Sequence, residues 1–526
     1  MAAGLYRAFI YSLHHTSMPR VHWFCAAMLA VALTLAPVAR AQVGAGARTA
    51  PSGKSGALPT LGDGSDLGSS AERRLGDRIA RELYRDPDYL DDPVLREYVD
   101  DIWRPLLAAA RNRGELANDI DQRFAWQILL GRDRSVNAFA LPGGYLGLHL
   151  GLIGVVTSRD ELASVLAHEL SHVTQRHIAR QMAKQSAQTP WMIGSMILGV
   201  LAASKSPDAA NALMVGGQAA AMQNQLNFSR DMEREADRIG FGVMTDAGFS
   251  AQGFVSMFDK LQQAAKLNDN GAFPYLRSHP LTTERIADMR ARQPLGSPVA
   301  GAEMETDHAM VSARARILSN PGVDTLRQAV AEALVPPAPG ASLARQAATL
   351  YAATLAAVRL RDFDAARASG LRLSTLVASN PAATRLTALL AVELAQAAGQ
   401  PVPELPAKGR PEMLLSAQSL VAQGRAREAA ADLQAWVALH PLDAGAWQGL
   451  ANASAAQGQP LRALRAQAEA RAAQLDYAGA LDRLKAAQTM VRSARANNAG
   501  DHIEASIIDT RSRQLQSLLR EQALER

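Results

Sequence analysis

Three shortages in this 526-residue sequence each close off a class of function. Cysteine is nearly absent: the single Cys25 lies in an apolar N-terminal run and would leave with it. A chain without that run has no thiol, which excludes disulfide scaffolds, cysteine catalysis and thiolate-bound metals. An excess of one charge is also missing. The formal net charge is +5, and it falls to +2 without residues 1–41, which hold three Arg and no acid. Nucleic acid as a partner therefore has no electrostatic footprint. Long apolar runs are lacking too. Trp23–Leu35 and Trp191–Ala203 are 13 residues each, against the roughly 20 that a spanning helix needs.

The first of these runs follows Arg20 and His22 and precedes Ala39-Arg40-Ala41, a small-x-small cleavage pattern. Residues 1–41 read as a cleavable secretory signal peptide, with Met18 as an alternative start. An exported, cysteine-free protein fits a bacterial periplasm. Residues 42–68, rich in Gly, Ser and Pro, read as a flexible leader.

Order is expected from Ser69, where Ser69 and Glu72 have capping-box spacing and Leu75, Ile79 and Leu83 recur at helical intervals. A second helix is expected over Pro93–Ala110. From Phe124 to Leu150 short apolar runs broken by turn signals predict a small sheet, with Pro142-Gly143-Gly144 as a turn. Ser158 and Glu161 form another capping box, opening a helix expected to run to about Ala187. Trp191–Ala203, interrupted by Gly194 and Gly199, reads as a buried or interfacial segment, a flap over a cleft or a peripheral contact with a membrane. Another helix is expected over Ser229–Met244.

Residues 296–342 read as a linker with short helical pieces, Met310–Leu318 and Val323–Leu334. Ala-rich helical pairs fill 343–526. Gly424 and Gly458, Ala429 and Ala463, and Leu433 and Gln467 lie 34 residues apart, the period of tetratricopeptide repeats. The fold class expected is α+β, mostly helical: a domain with a small sheet, then an all-α solenoid.

The chemistry centres on His168-Glu169-Leu170-Ser171-His172. Positions i and i+4 share a helical face, so both imidazoles can approach one ion. Glu169, about 100° around the helix, stands beside the remaining coordination position. There it can take a proton from attacking water and return it to the leaving amine. Zinc, one per chain, suits two neutral imidazoles and a carboxylate. The third ligand must come from another element, and Asp231, Glu233, Glu235 and Asp237 are all candidates by spacing. If Glu233 ligates, Asp237 lies one turn on and can accept the free N–H of a bound imidazole, while Glu235 points to solvent. His177 is off the ligand face and reads as structural or exposed.

HELSH, EREAD some sixty residues on, then Ser278-His279-Pro280 and Arg285, together resemble the M48 class of zinc metallopeptidases, over roughly residues 69–295. The resemblance implies a zincin-type domain in which His168, His172 and Glu233 hold zinc, Glu169 is the general acid/base and Asp237 orients a ligand. It implies that His279 can take the fourth zinc position and hold the enzyme latent. It also implies that Asn137-Ala138-Phe139-Ala140 form an edge strand pairing with substrate backbone. Arg285 is expected to contact substrate, as an oxyanion stabiliser or a carboxylate anchor, with an ordinary salt bridge as the alternative. With the signal peptide and repeats, the similarity is strongest to periplasmic members acting on outer-membrane proteins. It implies protein substrates and contact with outer-membrane assembly machinery through the repeats. A chaperone or scaffold with a latent zinc site is the alternative.

Overall fold

The computed structural model describes residues 67–184, 230–266, 272–293, 304–319, 322–406, 409–493 and 499–524. The expected signal peptide, residues 42–66 of the leader and Trp191–Ala203 lie outside them. All described residues belong to one compact unit, residues 62–526.

Helix α1 (Ser69–Arg85) buries Leu75, Ile79 and Ala80. Its expected capping box does not form. Gly68 is the N-cap, without a side-chain cap, and the buried Glu72 carboxylate instead pairs with Arg176 at 3.0 Å. A buried carboxylate is far costlier to leave unpaired than a helix end is to leave uncapped. Helix α2 (Pro93–Asn112) starts where Asp92 accepts the Leu95 N–H at 2.9 Å and Pro93 takes the first turn. After the short α3 (Asn118–Arg123) comes the sheet: β1 (Gln127–Gly131), β2 (Ala138–Leu141) and β3 (Tyr145–His149) in the order β1-β3-β2. The fully buried β3 is parallel to β1 and antiparallel to β2. Pro142–Gly144 makes the β2–β3 turn, with Gly143 at φ 72° and Gly144 at φ 84°.

The short α4 (Leu150–Val155) leads to α5 (Arg159–Thr174), which is capped as its sequence predicts. Ser158 Oγ accepts the Glu161 N–H at 3.1 Å, and the Glu161 carboxylate accepts the Thr157 N–H at 2.6 Å. The helix does not continue to Ala187. It stops at Thr174, Arg176 takes φ 52°, and α6 (His177–Lys184) starts in a new direction. The Arg176 guanidinium, held by Glu72 and the Leu67 carbonyl, anchors this break.

Helix α7 (Arg230–Asp246) packs on α5. A Cβ on Gly240 would lie 3.1 Å from the Ala167 backbone, so the two helices cross very closely beside His168. Helices α8 (Gln252–Lys266), α9 (Tyr275–Ser278) and α10 (Thr283–Arg292) complete this half.

Part of the stretch read as a linker is core. In α11 (Thr306–Ser319), His308, Met310, Ala313 and Ala315 are fully buried. After α12 (Val323–Glu332), the next helices α13 (Leu343–Leu360), α14 (Phe363–Leu376) and α15 (Pro381–Ala398) pack into the same core. That cluster runs without a break from Val94 to Leu415. Helices α16 (Arg410–Ala422), α17 (Ala426–Leu439), α18 (Ala444–Ala456), α19 (Pro460–Ala473), α20 (Tyr477–Ser493) and α21 (Ala499–Leu524) each pack on the next. The 34-residue period has a structural counterpart. Gly424 and Gly458 both turn the chain with positive φ, 79° and 68°, and Ala429 and Ala463 are both buried. None of the described helices is long and apolar enough to cross a membrane.

Candidate metal centre

Helix α5 brings His168 and His172 to one buried face, their Nε2 atoms 2.9 Å apart. Helix α7, close-packed through Gly240, sets Glu233 against both: Oε1 is 3.4 Å from His172 Nε2 and Oε2 is 3.5 Å from His168 Nε2. The C-cap of α9 contributes His279, whose Nδ1 is 3.3 Å from His168 Nε2 and 3.1 Å from Glu233 Oε1. One ligand atom from each of these four residues lies within 4.8 Å of the other three. Donors at about 2.0–2.1 Å around a tetrahedral ion are separated by about 3.3 Å, which matches the observed spacings. Facing lone pairs in a site this buried are unfavourable without a cation, so the residues fit a metal ion.

Glu169 is fully buried at the margin of this group. Its Oε2 accepts the Ala140 N–H of β2 at 2.8 Å. Its Oε1 has no hydrogen-bond partner and lies 3.4 Å from His279 Nε2. Burial pushes the Glu169 carboxyl up, against the lowering influence of His279 and His168. Glu233 goes the other way. Burial would raise it, but His279 and His168 hold it well below the usual carboxylate range. Burial would also lower His168, but Asp237 and Glu233 outweigh that and push it up to about 9. His172 is held well below its ordinary value by burial and by its neighbour His168.

Among the four candidates for third ligand, burial and distance favour Glu233. Asp231 is exposed and pairs with Arg234, whereas Glu233 and Asp237 are buried one turn apart. Asp237 Oδ1 is 2.9 Å from His168 Nδ1, too oblique for a well-formed hydrogen bond, and both its oxygens accept from Arg285 at 2.6 and 2.8 Å. Arg285 Nη1 also reaches Glu233 at 2.8 Å and the Pro280 carbonyl at 2.8 Å. The guanidinium anchors the protein's own carboxylates, the salt-bridge use that was one of the readings of Arg285.

One expectation needs correcting. Glu235 does not point to solvent: it is half-buried against His177 at 3.0 Å and Arg180 at 2.8 Å. His177, read as structural or exposed, is fully buried, with Nδ1 2.9 Å from His172 Nδ1. The break at Arg176, which carries no Gly or Pro signal, put both out of reach of sequence reasoning. Tyr275 was missed as well; its ring stacks on His279 with centroids 4.5 Å apart.

Comparison with known proteins agrees with this geometry. Peptidase family M48 matches residues 110–293, the stretch that carries every residue of the cluster. The beta-barrel assembly-enhancing protease of Escherichia coli is 30% identical over 470 residues, 88% of this chain and 91% of that protein. The chain belongs to peptidase family M48. A putative beta-barrel assembly-enhancing protease of Vibrio cholerae is 37% identical over 270 residues, 51% of this chain and 53% of that one. A mitochondrial metalloendopeptidase of Saccharomyces cerevisiae is 28% identical over 196 residues, 36% of this chain and 54% of its own length. As an M48 peptidase with relatives so named, the protein is a metalloendopeptidase, and among the described residues His168, His172, Glu233 and His279 form a group that could hold a metal ion.

Proposed function

We propose that this chain is a zinc endopeptidase of the bacterial periplasm that degrades misfolded or stalled outer-membrane proteins and assists their assembly. The observation that carries the chemistry is the His168–His172–Glu233 group with Glu169 buried against it. Zinc held by those three residues would act as a Lewis acid, activating water and polarising the scissile carbonyl. Glu169 Oε1, free of hydrogen-bond partners, takes the proton of the attacking water and delivers it to the leaving amine. Asp237, fixed by Arg285, orients the His168 ring. Strand β2, which among the described residues pairs only with β3, offers Asn137–Ala140 as the edge on which an extended substrate adds. Periplasmic location, client class and contact with assembly machinery through the C-terminal helices rest on the names of the relatives and on the signal-like N-terminus.

One observation favours a second reading. His279 Nδ1 already stands among the ligand atoms, as in a latent site whose protein serves mainly as a scaffold. The test measures zinc content and casein hydrolysis on the chain lacking residues 1–41, on Glu169→Gln and on His279→Ala. One zinc per chain, hydrolysis reduced at least about 100-fold by Glu169→Gln and raised by His279→Ala, is the expected result. Zinc without hydrolysis in any form supports the scaffold, and no zinc at all overturns both.

A further inference from the structure

The helix break behind His172 has a consequence for the metal site. Had α5 continued, His177, five residues on, would sit about 140° around the helix from His172. Arg176 instead adopts φ 52°, a left-handed conformation unfavourable for a residue with a Cβ. Its guanidinium is tied to Glu72 and the Leu67 carbonyl. The turn swings the His177 ring back onto His172, Nδ1 to Nδ1 at 2.9 Å. The far nitrogen of His177, Nε2, is 3.0 Å from Glu235, and Arg180 holds that carboxylate at 2.8 Å.

Only one placement of protons satisfies this row while leaving His172 Nε2 a lone pair for the ligand group. His172 Nδ1–H donates to His177 Nδ1, and His177 Nε2–H donates to Glu235. We propose that His177, backed by Glu235 and Arg180, is a positioning residue that fixes the tautomer and ring orientation of His172 and so sets the protein's affinity for zinc. On the opposite side Asp237 Oδ1 lies 2.9 Å from His168 Nδ1 without a well-formed hydrogen bond. The two imidazoles are thus backed by different elements, α7 for His168 and α6 for His172, and only the second contact is a hydrogen bond. The inference rests on the zinc-site reading above.

The probe is Zn²⁺ alone, added to the metal-stripped chain in competition with a chromophoric chelator, with thermal unfolding of the stripped protein measured alongside. His177→Phe keeps the bulk of the ring and loses both hydrogen bonds; its zinc affinity should fall about 10- to 100-fold. His177→Asn keeps an acceptor near the Nδ1 position and should bind more tightly than His177→Phe at a similar melting temperature. Glu235→Gln tests the outer link if neither ring variant folds, and should also weaken binding. Zinc affinity unchanged in His177→Phe, or Asn no better than Phe, overturns the inference, as does unchanged affinity in Glu235→Gln where that variant has to decide. Failure of the underlying reading looks different: the parent chain itself would bind no zinc, or His168→Ala would bind as well as the parent.

Discussion

Two imidazoles only a turn apart on α5 sit in opposite electrostatic settings, and this governs how the site loads its metal. His168 faces Asp237 and Glu233, which outweigh burial and push it up to about 9, whereas His172, with Glu233 but no second carboxylate beside it, is held low by burial and by His168. Below pH 9 the metal-free protein therefore carries a proton on His168 that a metal must displace. Zinc binding at pH 7 should release about one proton, and affinity should drop by up to about tenfold for each pH unit of acidification. Calorimetric titration in buffers of different ionisation enthalpy reads the proton directly; binding without release would show that His168 is neutral at rest. The residues of this site differ in how legible they were. His168, Glu169 and His172 follow from the helical repeat alone. Glu233 did not, because a solvated acidic face has the same spacing, and only burial separates it from Asp231. His177 and Glu235 were not legible, since a left-handed arginine leaves no mark in the sequence.

At the scale of elements, the site depends on how closely α5 and α7 cross. Gly240 continues the face of α7 that carries Glu233 and Asp237, and it touches the Ala167–His168 backbone. A larger side chain there has backbone on the other side and cannot be relieved by a rotamer change. Gly240→Val should push α7 away from α5, destabilise the fold by about 1–3 kcal/mol and reduce zinc content out of proportion to the lost stability. Urea unfolding of the metal-stripped form alongside metal analysis distinguishes these effects; full zinc occupancy in a destabilised variant would mean that Glu233 follows the ligands through some other contact. The elements themselves were largely readable: α2, the sheet region with its Pro-Gly-Gly turn, and the Ser158 cap stand where periodicity and turn chemistry put them. The parallel pairing of β1 with β3 was not, because it joins strands with β2 between them in sequence. Of α11 the helical piece over Met310–Leu318 was readable but its place in the core was not, because its many small and apolar residues are weakly patterned in a helix buried on nearly every side.

Over the whole molecule, α11 is the piece that makes the peptidase half and the helical half one body. Arg314 on α11 is buried between Asp92, at 2.6 and 2.9 Å, and Glu393 of α15, at 2.8 Å, and it donates to Tyr351 of α13 at 3.1 Å. Asp92 also caps α2, which packs against α5. One guanidinium therefore links the support of the metal-bearing helix to the first helices of the C-terminal half. Arg385 with Glu97 and Glu412, and Arg410 with Asp91 and Asp443, repeat the link nearer the surface. Because the apolar core is continuous from Val94 to Leu415, a cut near residue 340 would strip helices off that core rather than release a finished domain. Arg314→Met tests the unity of the two halves with less damage. It roughly preserves the volume of the side chain but leaves buried Asp92 and half-buried Glu393 without the guanidinium between them, which should cost about 3 kcal/mol. With Trp103 as the sole tryptophan to report on the peptidase half, or Trp447 to report on the C-terminal helices, both should show the same lowered urea midpoint. If Trp447 kept its midpoint while that of Trp103 fell, the helices from α16 onward would fold on their own, and they would be tied to the peptidase half by the surface ion pairs instead of the core.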